Sequence, residues 1–132
     1  MSKLTCICGH VIIDQKENLP YKGEYIADQD YEQLFEEFFP FLSELIVARE
    51  QGRINEFLER KFTDRYPKDS ELQSIIGDAF PLTKYERTMY ECEVCGRLWI
   101  ETETHSNNFV SYLPETPTRG IFKSQRKTQD DL

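Results

Sequence analysis

Four cysteines in two close pairs, Cys6 with Cys8 and Cys92 with Cys95, stand near opposite ends of the chain. A thiolate pair separated by one or two residues can grip a tetrahedral ion, because a tight turn points both sulfurs inward while backbone N–H groups of the turn hydrogen-bond to them. Two such turns supply four ligands. A fold that uses both must bring the two ends of the chain together around one ion. The competing use is disulfide formation, but thiols stay reduced in the cytosol, and a bridge between Cys6 and Cys8 would be strained. The expected ligand set is therefore Cys6, Cys8, Cys92 and Cys95. Four thiolates suit zinc or iron, and redox-silent structural zinc is the expected ion. His10, two residues past Cys8, is the candidate substitute ligand, although a lone histidine beside such a turn is more often solvated.

The pattern between the cysteine pairs is helical, and the pattern around them is extended, which points to the α+β class. Residues 3–13 read as a hairpin in which Gly9 turns the chain and Val11, Ile12 and Ile13 form a β-branched strand. Residues 21–27 read as a further short strand. Tyr31, Leu34, Phe35, Phe38 and Phe39, then Phe41, Leu42, Leu45 and Ile46, recur at spacings of three and four and place a wide apolar stripe on a helix. Asp30 with Gln33 resembles a capping box at its start, Pro40 predicts a kink or two helices meeting there, and Gly52 ends the run. Ile54, Phe57, Leu58 and Phe62 mark a second helix, and Ser70 is expected to cap a third through Leu72, Ile75, Ile76 and Phe80. After Pro81 the pattern turns to strands at 85–92, 98–104 and 109–113. The 132 residues are expected to form a single domain over 1–117, with a helical insertion at about 28–80, followed by a polar, basic, flexible tail over 118–132. Ile121 and Phe122 are the part of that tail expected to dock.

The turn at Cys92-Glu93-Val94-Cys95-Gly96 has the C-x-x-C-G form and runs straight into a strand, and Cys6-Ile7-Cys8-Gly9 is the same turn one residue shorter. With their flanks, C-x-C-G-H-V-I and M-Y-E-C-E-V-C-G-R-L-W, these turns resemble those of zinc-ribbon and rubredoxin-like proteins. More narrowly, the chain resembles small uncharacterised bacterial proteins with the same split layout, in which a Y-K-x-x-x-I-A-D-Q-D-like segment follows the first knuckle. The resemblance implies a zinc-ribbon-like antiparallel sheet joining the N- and C-terminal knuckles around a helical insertion. It is specific for metal and silent on activity.

Charge points to a partner. The formal net charge is -8, and residues 24–50 hold eight acids against the single base Arg49. Such a face repels a phosphate backbone and attracts a basic protein surface. Asp28, Asp30, Glu32, Glu36, Glu37 and Glu44 are the expected contact residues. Catalysis is not expected: four thiolates close the coordination sphere that a catalytic zinc leaves open, and no nucleophile elbow, H-E-x-x-H pair or glycine-rich phosphate loop is present. His105 has no metal-binding neighbour in sequence, and the spacing of Trp99 and the phenylalanines assigns them to the core. A compact acidic protein without an active-site motif fits a bacterial immunity protein or antitoxin that occludes a basic toxin domain. The alternative is a nucleic-acid-binding or transcription-associated zinc ribbon using Arg119, Lys123, Arg126 and Lys127. Neither an apolar run of about 18 residues nor a signal-peptide core is found, so no membrane association and a cytoplasmic location are expected. A shared ion should couple metal removal to loss of the whole domain.

Overall fold

A computed structural model describes residues 3–126. It is an α+β structure whose contacts divide into two compact units, one comprising the chain up to Ile26 together with the chain from Glu86 onward, the other Ala27–Tyr85. Among the described residues, no helix is long and apolar enough to cross a membrane.

The first unit is built from antiparallel strands. Strands β1 (Lys3–Thr5) and β2 (Val11–Ile13) form a two-stranded hairpin. Strands β3 (Lys22–Tyr25), β4 (Arg87–Glu91), β5 (Leu98–Glu101) and β6 (Phe109–Tyr112) form a four-stranded sheet in that order. The expectation of one sheet joining both knuckles is corrected here: the knuckle-bearing hairpins β1–β2 and β4–β5 belong to separate sheets. They meet through side chains. Cys6, Ile12, Tyr90 and Cys92 are buried together, with Leu4, Tyr21, Cys95, Trp99 and Phe109 packed around them. The register sets Tyr90 opposite Trp99, so both rings project from one face of the sheet toward this cluster.

The second unit is helical. Helix α1 (Asp28–Glu50) buries Leu34, Phe38, Leu45 and Ala48, and α2 (Ile54–Lys61) and α3 (Leu72–Ala79) close over it through Phe57, Leu58 and Ile75. Burying each large apolar side chain contributes about 1.5–3 kcal/mol. A single helical turn, α4 (Leu82–Tyr85), follows Pro81 and takes up Tyr85, the first residue of the strand expected over 85–92. Its Lys84 and Tyr85 bind Glu37 of α1.

Of the two outcomes expected at Pro40, two helices meeting there is excluded: α1 is one helix through Pro40, with Phe38 before it and Leu45 after it both buried. Two expected caps are corrected. No side chain caps α1: Ala27 occupies the cap, and Asp28 and Asp30 lie within the first turn, where the helix dipole favours their charge. At α3 the cap is Glu71, and the Ser70 hydroxyl instead donates to the Pro67 carbonyl at 2.6 Å.

The segment past 118, expected to be flexible, is tied down over residues 119–122. Gly120 and Ile121 donate backbone N–H groups to Glu91 at 2.8 and 3.4 Å. Phe122 lies so close to Gly23 that a Cβ there would sit 2.9 Å from its ring. Lys127 lies outside the described residues.

Candidate metal centre

Both cysteine turns are closed by the same device. The N–H of Gly9 donates to the Cys6 carbonyl at 2.9 Å, and the N–H of Gly96 donates to the Cys92 carbonyl at 2.8 Å. Each turn is then sealed at its base, Cys6 N–H to the His10 carbonyl at 2.8 Å and Cys92 N–H to the Arg97 carbonyl at 2.9 Å. The extra residue in the second turn lengthens the loop without changing its closure. Both glycines adopt a left-handed conformation, φ 98° and 79°, that a side chain would strain.

The turns bring all four sulfurs within 4.8 Å of one another. Cys6 Sγ lies 3.6 Å from Cys95 Sγ, and Cys8 Sγ lies 3.5 Å from Cys92 Sγ. A disulfide would require about 2.05 Å. A tetrahedron of thiolates with metal–sulfur bonds of about 2.3 Å has edges of about 3.8 Å, so the spacing fits ligands around one ion. Soft donors in this arrangement select zinc or iron. Cys6, Cys8, Cys92 and Cys95 are the residues that would hold it, and His10 is not part of the cluster.

The thiols are not electrostatically equivalent. Burial pushes Cys6 up, but the backbone N–H of Cys8, the Trp99 indole and the neighbouring Cys95 and Cys92 thiols outweigh it and hold the group at about 6. Cys92 is pushed up to about 12, first by burial and then by the Cys8 and Cys95 sulfurs, against N–H donors from Cys95 and Val94. A thiolate at Cys6 is thus stabilised by donors, whereas one at Cys92 requires a cation to offset its burial and the sulfurs beside it. Trp99 Nε1 is buried without a full hydrogen bond. It acts on Cys6 as a nearby dipole, since a diffuse thiolate is favoured by an N–H at longer range than an oxygen acceptor would be.

Comparison with known proteins follows the same span. A family model described as Domain of unknown function (DUF8617) matches residues 2–116. The chain belongs to this family. No curated protein matches it, and no solved structure does.

In this DUF8617 chain the match stops short of the residues that brace the second knuckle. Arg119 donates Nε to the Val94 carbonyl at 2.9 Å and Nη2 to the same oxygen. A Cβ on Gly96 would meet the Thr118 carbonyl at 2.6 Å. Glu91, only 2 % exposed, accepts the two strap N–H groups described above. Sequence reasoning missed Glu91 and this strap, because its one local signal, an acid directly before Cys92, is indistinguishable from any acid on a strand.

A second polar group lies on the four-stranded sheet. A cavity of about 240 Å³ is lined by Asp14, Lys22, Glu86, Tyr90, Glu101 and His105 among others. Asp14 accepts the Tyr90 hydroxyl at 2.5 Å and pairs with Lys22 at 2.7 Å, and buried Glu101 accepts N–H groups of Thr88 and Asn107, each at 3.1 Å. Glu86 is raised to about 7, first by sharing a proton with Glu24, then by burial and by the charge of Glu24, against the charges of His105 and Lys22.

The six acids expected to meet a partner divide between two sides of α1. Glu37 accepts from Tyr85 and from Lys84 at 3.0 Å, which holds its carboxyl below the usual range. Glu44 pairs with Lys61 at 2.6 Å. These two, seven residues apart, face the helical unit's own cations. Asp30 is half-buried. Asp28, Glu32 and Glu36 are exposed on another side and have no ion-pair partner among the described residues.

Proposed function

We propose that this protein is a non-catalytic protein-binding domain in which a structural zinc ion holds the strand-rich unit together and α1 presents an acidic face to a basic protein surface. The two knuckle-bearing hairpins then act as a zinc-ribbon-like scaffold in the cytoplasm, where the thiols stay reduced. The observation that carries the reading is the exposed group Asp28, Glu32 and Glu36, acids that the fold does not use for its own ion pairs. Exposed charge of one sign raises association rates with an oppositely charged partner and sets its orientation. The closed four-thiolate geometry supports a structural ion. An immunity protein or antitoxin directed at a basic toxin domain is the particular form of this function that the charge favours, and the toxin itself rests on analogy of class.

The product of the neighbouring reading frame is the probe. Binding should weaken steeply with salt and be lost in the double variant Glu32→Lys, Glu36→Lys, with metal content unchanged. Charge reversal that leaves binding intact refutes the face, and an inert neighbouring product refutes its pairing as toxin and antitoxin. Zinc is tested separately by elemental analysis, with Cys8→Ser and Cys95→Ser each expected to lower metal content and melting temperature.

A further inference from the structure

Spacing assigned the phenylalanines of α1 to the core, yet part of the apolar stripe to which they belong faces outward. Tyr31, Phe35 and Phe39 recur every fourth residue, with ring centroids 6.1 Å apart in the first pair and 5.2 Å in the second, which is stacked. Ile46 continues the same line. Tyr31 is 49 % exposed, and Phe39 and Ile46 are each 56 % exposed. At about 1.5 Å per residue, the ladder from Tyr31 to Ile46 runs about 22 Å, some four turns of helix. Beside it an open depression of about 580 Å³ is lined by Phe35, Phe39, Pro40, Glu32 and Glu36. A contiguous apolar strip with a polar edge marks a binding surface, since scattered exposed side chains would not line up ring on ring.

Charge decides the occupant. Glu32 and Glu36 form the outer edge of the ladder, one turn apart, and the chain carries a net charge of -8. A second copy packed on this face would set carboxylates against carboxylates, and an anionic lipid surface would be repelled in the same way. A surface with both apolar and basic elements satisfies the ladder and its edge together.

We propose that the Tyr31–Phe35–Phe39–Ile46 ladder of α1 is a docking groove for an amphipathic basic helix of a protein partner. Apolar residues of that helix at i, i+3 or i+4, and i+7 sit on the rings, and its lysine or arginine side chains reach Glu32 and Glu36. The inference rests on the protein-binding function proposed above and names the chemistry of the partner.

Two synthetic peptides of identical leucine and lysine composition test it by fluorescence anisotropy against the full chain. One places its leucines along a single helical face, and the other scatters them. The amphipathic peptide should bind one per chain and at least tenfold more tightly. The triple variant Tyr31→Ser, Phe39→Ser, Ile46→Ser changes only exposed positions, so metal content and melting should hold. It should abolish the preference while both peptides keep weak, salt-sensitive binding. Glu32→Lys with Glu36→Lys should weaken both peptides. Equal binding of the two peptides by the unaltered protein overturns the groove and leaves the acidic face standing, whereas no binding of either overturns both. Self-association abolished by the triple variant would assign the ladder to a second copy and overturn the proposal.

Discussion

Gly9 and Gly96 both close a cysteine turn in a left-handed conformation, but their surroundings differ. A Cβ on Gly9 would meet nothing within 4 Å, whereas one on Gly96 would meet the Thr118 carbonyl at 2.6 Å. Alanine at Gly9 should therefore cost only its backbone strain, about 1–2 kcal/mol. At Gly96 the strap must also move, and about 2–4 kcal/mol is expected. Denaturant midpoints of the metal-loaded variants measure the difference, and equal losses would show that the strap adds nothing to the knuckle. Glu86 provides a second prediction at this scale. Its carboxyl is raised to about 7 by Glu24 and by burial, so the folded chain holds a proton that the unfolded chain releases near its ordinary value. The stabilisation is complete below the unfolded value and is lost as pH rises through about 7. Glu86→Gln keeps the hydrogen bond without the titration. Its stability relative to the parent protein should therefore rise between pH 5 and 8 in denaturation curves, whereas a pH-independent difference would show that the two carboxyls do not share a proton.

Among the elements, the ones recoverable from sequence were those with a strong period or a hard constraint. The helical stripe of 31–46, the turns at Gly9 and Gly96 and the strands beside them all follow from spacing and from glycine. What failed was decided by contacts distant in sequence. The single turn of α4 forms where Lys84 and Tyr85 reach Glu37, some forty-seven residues earlier. The four sulfurs were recognisable because tight turns and soft donors announce themselves locally. Glu91 was not, because its partners lie in a strap near the other end of the chain. Pro40 tests how far packing overrides local preference. Restoring the backbone donor in an exposed helix interior is worth up to about 3 kcal/mol, partly offset by about 0.4–1 kcal/mol of lost rigidity in the unfolded chain. Pro40→Ala should stabilise the helical transition by about 1–2 kcal/mol in thermal melts, and a destabilised variant would mean that proline fits α1 without strain.

For the molecule as a whole, the decisive fact is that each unit has its own core. Leu45, Ala48, Phe57, Leu58 and Ile75 cluster within the helical unit, while the strand-rich unit is organised around Cys6, Ile12, Tyr90 and Cys92. Half of the second cluster belongs to the cysteine group that would hold a metal ion. An ion held there would order the interior of the strand-rich unit, and a site that exists only when the chain is folded lends its binding free energy to folding. The helical unit contains none of the four cysteines. The sequence led to the expectation that metal loss costs the whole domain; two separate cores lead to the prediction that the helical unit outlasts it. A strong chelator should abolish the near-ultraviolet signal of Trp99 and the hydrogen-exchange protection of β4 and β5, while amides around Leu45, Leu58 and Ile75 stay protected and the far-ultraviolet helical signal persists. Heating the metal-loaded protein should then give two transitions, of which only one moves with added zinc. Collapse of both regions together on chelation would show that the helical insertion depends on its scaffold, and that its core is too small to hold alone.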